Sequence, residues 1–144
     1  MKFVIQKKND AICFFDLNER KIKSTINNIS KNNDNVEWLI MITEELLLVP
    51  GQYKMSIINV HQYRLVRIIE VSDSPYINGV CMLNKNMLLT GDSDAKIRQW
   101  RIEGDNLILI SQKEKSHDSN IYPLLNMRNG YIATGSYDNT VKIW

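Results

Sequence analysis

The chain has 144 residues, 44% of them hydrophobic, and 18 Lys and Arg against 16 Asp and Glu give a formal net charge of +2. That length suits one domain with an ordinary core, and the two signs of charge are interspersed, so nothing calls for a nucleic acid or an acidic membrane as partner. No run of 18 apolar residues is present to cross a membrane as a helix, and the apolar part of Met1-Lys-Phe-Val-Ile-Gln-Lys-Lys8 is shorter than a secretory leader needs.

Residues 2–6 and 10–16 read as paired strands around Lys7-Lys-Asn-Asp10, with 20–26 as an outer strand. Residues 27–35 are rich in Asn, Ser and Asp and read as a loop. A second group of strands is expected at 36–42, 45–49, 54–60 and 64–71. The last of these alternates Leu65, Arg67 and Ile69 against Val66, Ile68 and Glu70, the period of two that a strand requires. Ser72-Asp-Ser-Pro75 is the next loop. A third group follows at 77–83, 87–91, 95–101 and 106–111, with Glu103-Gly-Asp105 as a hairpin turn. After the loop 113–120 come 121–126, 131–135 and 140–144, the first two joined through Met127-Arg-Asn-Gly130. Cys13 and Cys81 fall inside strands and read as small buried hydrophobes in a reducing compartment.

The last fourteen residues nearly repeat an upstream stretch. Tyr131-Ile-Ala-Thr-Gly-Ser-Tyr-Asp-Asn-Thr-Val-Lys-Ile-Trp144 lies over Met87-Leu-Leu-Thr-Gly-Asp-Ser-Asp-Ala-Lys-Ile-Arg-Gln-Trp100. Gly91 falls under Gly135, Asp94 under Asp138 and Trp100 under Trp144, all 44 residues apart. Two weaker copies place Gly51 under Gly91, Val60 under Trp100 and Phe15 under Val60. The anchors Phe15, Val60, Trp100 and Trp144 are then spaced by 45, 40 and 44 residues. A self-similar period of this size is the signature of a repeat architecture.

This unit resembles the WD repeat (WD40): an apolar strand ending in Ser/Thr-Gly-Ser, a turn Asp, and a strand closing on Trp-Asp, with four strands per propeller blade. Phe15-Asp16 stands where the family has Trp-Asp, while Trp100 is followed by Arg101. The resemblance implies an all-β fold, a partial WD40-type β-propeller of four-stranded antiparallel blades whose ring this chain alone does not close. Residues 1–26 would be an incomplete first blade, 36–71 the second, 77–111 the third and 121–144 an incomplete last one. The strands then number three, four, four and three, with the inner strand missing from the first blade and the outer one from the last. Propellers close on about four to eight blades and so avoid open sheet edges. The count favours a piece of a larger ring, or an incomplete gene product, over a half-propeller that associates with itself through its open edges.

The resemblance also implies a structural tetrad of hydrogen-bonded side chains, His117, Thr134, Asp138 and Trp144. A partial one, Thr90, Asp94 and Trp100, would precede it, interrupted because Asp73 stands at the histidine position. Enzyme signals are missing from the sequence. The six glycines are isolated, there is no Cys-x-x-Cys, no His-Glu-x-x-His and no nucleophile-elbow spacing. Of the two histidines, His61 reads as a loop residue and His117 as structural rather than a general base. Asp92, Asp94, Asp118 and Asp138 read as turn formers rather than calcium ligands, since no EF-hand spacing is present. No catalytic residue, metal or cofactor is expected.

By analogy with the family, the function expected is a non-catalytic scaffold that binds other proteins or peptides, in the cytoplasm or alternatively the nucleus. A substrate-recruiting module of a larger enzyme or ligase complex, or a structural subunit of a multiprotein assembly, are the alternatives. Partners would dock on inter-blade loops and second-to-third-strand turns held by a rigid scaffold. The candidate contacts are Trp38, Tyr53, Tyr76, Asp92, Tyr122 and Tyr137, with Tyr53 and Tyr137 expected at one and the same turn position in their units.

Overall fold

A computed structural model of the chain describes residues 2–7 by their backbone, and 11–27, 29, 38–73, 76–127 and 129–144. Four antiparallel sheets follow one another along the chain, and no helix occurs among the described residues. The first sheet is β1 (Lys2–Lys7), β2 (Ala11–Asp16) and β3 (Lys21–Asn27). The second is β4 (Ile40–Met41), β5 (Leu46–Pro50), β6 (Lys54–Asn59) and β7 (Arg64–Glu70). The third is β8 (Ile77–Asn84), β9 (Met87–Asp92), β10 (Ile97–Glu103) and β11 (Asn106–Lys113). The fourth is β12 (Ile121–Asn126), β13 (Ile132–Ser136) and β14 (Val141–Ile143). Within each sheet the strands lie side by side in chain order. Most of the loops expected at 7–10 and 27–35, the start of the strand expected at 36–42, and Ser74, Pro75 and Arg128 lie outside the described residues.

The core is divided into layers between the sheets. Ile12 and Phe14 of the first sheet meet Leu47, Val49 and Ile58 of the second. Leu48, Met55 and Ile57 leave the opposite face of the second sheet and meet Ile77, Leu88, Trp100 and Leu107 of the third. Cys81 and Leu89 then meet Ile121 and Leu124 of the fourth. Successive residues of a strand point to opposite faces, so Leu47 and Leu48, or Leu88 and Leu89, serve two different layers. This is why the middle strand β5 reads as a continuous apolar run, as strands covered on both faces do. The outermost strands β3, β7 and β11 are covered less.

A bulge occurs at a corresponding place in three sheets, between Phe14 and Phe15, Ile57 and Ile58, and Gln99 and Trp100. The strand pairing corrects the repeat alignment. Ile58, paired with Leu47 as Trp100 is paired with Leu88, takes the place that the sequence alignment assigns to Val60. The turn between β5 and β6, residues 51–53, is shorter than its counterpart in the third sheet, residues 93–96, so the positions after it shift against the alignment.

The third and fourth sheets approach closely enough to exclude side chains at two points. A Cβ on Gly79 would lie 2.5 Å from Leu124 Cδ1, and one on Gly91 would lie 2.6 Å from Ile121 Cγ2 and 2.7 Å from Leu124 Cδ1. The Gly in the Thr-Gly signature therefore sets the spacing between sheets. Gly91→Ala is expected to lower stability by about 1–3 kcal/mol, the usual cost of overpacking. A urea titration unchanged from the parent would show that the two sheets can separate without penalty.

Candidate interaction face

One end of the stack carries the loops that enter each sheet and the turns between its second and third strands. Backbone hydrogen bonds tie these pieces together: Val71 N to Tyr53 O at 2.7 Å, Ser93 N to Tyr76 O at 2.9 Å, Ser116 N to Ala95 O at 2.8 Å and Tyr137 N to Asn120 O at 3.0 Å. Tyr53, Ala95 and Asn139 all take a left-handed backbone, with φ of 56°, 61° and 65°. Tyr53 bonds Val71 as Ala95 bonds Ser116, so it corresponds to Ala95 and Asn139. The expectation that Tyr53 and Tyr137 share one turn position is corrected by this geometry; Tyr137 stands two residues earlier in its turn.

In the fourth sheet the four tetrad side chains form one network. His117 Nδ1 is 2.8 Å from Asp138 Oδ2 and its Nε2 is 2.7 Å from Thr134 Oγ1. Trp144 Nε1 donates to the same Thr134 oxygen at 2.9 Å. A carboxylate only accepts, so a neutral His117 carries its proton on Nδ1 and receives the Thr134 hydroxyl proton at Nε2. The ring is buried and both nitrogens are engaged, which suits a structural tie between loop, strand and turn rather than a base facing substrate.

Asp138 completes the tie. The Thr140 hydroxyl donates to its Oδ1 at 2.6 Å, and the Asp118 N–H donates to Oδ2 at 3.0 Å. These bonds, that of Thr140 first, hold its carboxyl far below the ordinary value of 3.8. A depressed folded-state pKa contributes stability that is complete above the unfolded value and is lost as pH falls below it. The melting temperature should therefore fall on acidification below about pH 4, and Asp138→Asn should flatten that acid slope while lowering stability at neutral pH. Melts recorded across this range that keep the parent's slope in the variant would remove Asp138 as the titrating group.

The third sheet keeps only half of this arrangement. Trp100 Nε1 donates to Thr90 Oγ1 at 2.9 Å, and both residues are buried. Asp94, expected in the partial tetrad, is exposed instead. The buried acid is Asp92, which was expected to contact partners but is fully covered. Asp92 Oδ1 accepts from the backbone N–H of Asp94 at 2.9 Å and of Lys96 at 3.0 Å, while Oδ2 pairs with the Arg98 guanidinium. The other arm of Arg98 reaches Asp73 Oδ2 at 2.8 Å, and Lys96 Nζ reaches that oxygen at 3.0 Å. Asp73 at the histidine position thus does not leave the loop untied. An ion network replaces the missing imidazole, because Arg98 spans from loop to turn and needs a carboxylate at each end. The two neighbouring cations hold the Asp73 carboxyl below its ordinary value, Lys96 contributing most.

Three of the six expected contact residues come together. The rings of Trp38 and Tyr122 are 5.5 Å apart, and those of Tyr122 and Tyr137 are stacked at 6.4 Å. Trp38 precedes β4 and Tyr122 lies in β12, so the row joins the second sheet to the fourth at the loop end. Tyr53 and Tyr76 are exposed at the same end, without a ring contact to this row among the described residues. Beside it is a hollow of about 410 Å³ lined by Ser93, Asp94, Ala95, Lys115, His117, Asp118 and Ser119. Sequence reasoning missed Arg98 and Lys96; an Arg in the middle of an otherwise core-facing strand is the signal that could have drawn attention to them. Among the described residues no cluster of three His, Cys, Asp or Glu is arranged to hold a metal, and no helix is long and apolar enough to cross a membrane.

Residues 115–144 match the family model described as WD domain, G-beta repeat. No curated protein matches the sequence. Among solved structures, the fold is similar to a chain of the "Crystal Structure of Mitotic Checkpoint Complex", with a TM-score of 0.82 at 14% identity over 99% of this chain and 45% of that one. The chain thus spans less than half the length of that relative. Propellers of the WD-repeat family are generally non-catalytic. The four antiparallel sheets stacked in chain order without closing a ring make this chain a partial β-propeller in fold, and its residues 115–144 are similar to one WD repeat.

Proposed function

We propose that the chain is a non-catalytic scaffold that holds another protein or a peptide at its loop end, with the row Trp38, Tyr122 and Tyr137 as the anchor. The observation that carries this reading is the row itself. Tyr137 is 67% exposed and stacks on a second ring, on loops that hydrogen bonds hold in place. Aromatic side chains on a rigid support dominate interface energetics because they bury much area and lose little entropy. The presence of the solved relative in a multiprotein complex adds support. Both cysteines are free and buried, which suits a reducing, cytoplasmic setting; burial pushes the Cys81 thiol up to about 11 and so keeps it protonated and unreactive.

Tyr137→Ala is expected to weaken capture of partner proteins at least tenfold while leaving the melting temperature within a degree or so, since an exposed side chain off the core contributes little to folding. Immobilised parent and variant chains, exposed to the same cell extract, make the comparison. Identical capture by both would end the role of Tyr137, and a large fall in melting temperature would place its ring in the core instead.

A further inference from the structure

We propose that Asn129 is a site of spontaneous covalent modification, at which attack by the backbone nitrogen of Gly130 turns the carboxamide into an aspartyl or isoaspartyl residue. Asn followed by Gly is the pair most open to this reaction, because glycine has no side chain to keep its nitrogen from the carboxamide carbon. The chain holds two such pairs, Asn78-Gly79 and Asn129-Gly130, and in sequence they look alike. The structure separates them. Asn129 and Gly130 are both exposed in the turn between β12 and β13. Gly130 has a φ of 90°, and no atom beyond its chain neighbours lies within 4 Å of where a Cβ would stand. Asn129 Oδ1 accepts the Tyr131 N–H at 3.3 Å. That bond folds the carboxamide back along the turn and draws electron density from Cγ, the atom to be attacked.

The reaction balances with water alone. A bond forms between Gly130 N and Asn129 Cγ, the Cγ–Nδ2 bond breaks, and the amide leaves as ammonia with the proton that the Gly130 nitrogen releases. Water then opens the five-membered imide at either carbonyl. Opening at Cγ gives an ordinary aspartyl residue, and opening at the main-chain carbonyl routes the backbone through the side chain. Either product puts a carboxylate in place of a neutral amide and subtracts one from the formal net charge of +2. The isoaspartyl product also adds a methylene to the turn that sets Asn126 opposite Ile132. At Asn78 the same ring cannot form without opening the core. Gly79 is buried and paired with Gly91 on β9, and a Cβ there would already lie 2.5 Å from Leu124 Cδ1. The ladder is irregular between Ile77 and Gly79, yet a carboxamide over the Gly79 nitrogen still needs the backbone to leave its extended path. That would part β8 from β9 where the fourth sheet packs against them. Opening a core strand costs far more than opening an exposed turn.

The test ages the whole folded chain in a mildly alkaline buffer. Samples are cleaved and mapped by mass spectrometry, with enzymatic methylation of isoaspartyl carboxyls as a second readout. Asn129 should convert at least about a hundredfold faster than Asn78, the kind of gap that separates an exposed turn from a core strand. In concentrated urea the two rates should come within a few-fold of each other, since the fold is what distinguishes them. Asn129→Gln, which would have to close a six-membered ring, should remove the methylation signal of the folded chain. Equal rates at the two sites in the folded chain overturn the proposal. So does an Asn129 that stays intact while a free peptide of the same sequence converts, and so does a methylation signal that survives Asn129→Gln. A rate ratio unchanged in urea overturns it as well, because neighbouring residues rather than the fold would then set the difference.

Discussion

Arg98→Met should be among the most destabilising single substitutions in this chain, costing about 3–5 kcal/mol, the range measured when one member of a buried ion pair is removed. Arg98 is 1% exposed and Asp92 is not exposed at all. Without the guanidinium, Asp92 keeps two backbone N–H donors on Oδ1, but Oδ2 loses its charged partner inside the protein. A buried carboxylate that has lost its cation carries more of its desolvation cost. Against a total stability of about 5–15 kcal/mol for a domain, the loss is a large share. The double variant Asp92→Asn, Arg98→Met should recover part of it, because the charge that was stranded has gone. Asp73→Asn should cost much less, since Asp73 is more than half exposed and water can replace the missing partner. Urea titrations of the four proteins make the comparison. A single Arg98→Met variant within 1 kcal/mol of the parent, or a double variant no better than the single, would show that the pair does not hold the turn.

Trp100→Ala and Trp144→Ala should differ, although the sequence presents the two tryptophans as equivalent. Trp100 is 4% exposed, packs between the second and third sheets with Leu48, Met55 and Leu107, and is the donor to the buried Thr90 hydroxyl. Its truncation opens a cavity and strands that hydroxyl, at about 3–5 kcal/mol. Trp144 makes the same bond to Thr134 but is 36% exposed. It borders an apolar hollow of about 120 Å³ between Leu89, Ile97, Lys113 and Ile132, with the Lys113 ammonium 5.0 Å from its ring centre. Much of the area it loses on truncation already faces water, so its cost should be less than half that of Trp100. Measured under conditions that keep the chain monomeric, equal costs for the two would mean that the hydrogen bond, not packing, sets the contribution of this position.

Much of this architecture was legible in the sequence because the signals are local. Alternation in 64–71, the turn at Glu103-Gly-Asp105 and the Asn-Gly at 129–130 each depend on a few adjacent residues, and the structure forms β7 and the β10–β11 hairpin accordingly. The tetrad was expected only through the resemblance to the WD repeat, whose motif places His117, Thr134, Asp138 and Trp144 together, and hydrogen bonds join those four side chains.

The misplacements share a cause as well. Asp92 and Asp94 are two residues apart in one turn and look alike in sequence, and composition does not reveal which is buried. Arg98 decides it, because its guanidinium lies where it can reach Asp92 and Asp73 together, and Asp73 belongs to a loop that only folding brings near. Ile58 displaced Val60 because the β5–β6 turn is shorter than the β9–β10 turn and the strands pair accordingly, a difference that leaves no mark in apolar periodicity. Tyr53 parted from Tyr137 because turn length differs between the units, and Trp38, just before β4, met Tyr122 near the start of β12 across a stretch of chain that sequence alone does not close.

The sequence by itself therefore determined most of the strands, their order and the repeat, all of which rest on near-neighbour stereochemistry and on a spacing written into the chain. The tertiary structure alone decided which charges are buried, which tryptophan is covered and which aromatic rings meet. Those outcomes depend on distances between residues from different sheets, and such distances exist only once the sheets have stacked.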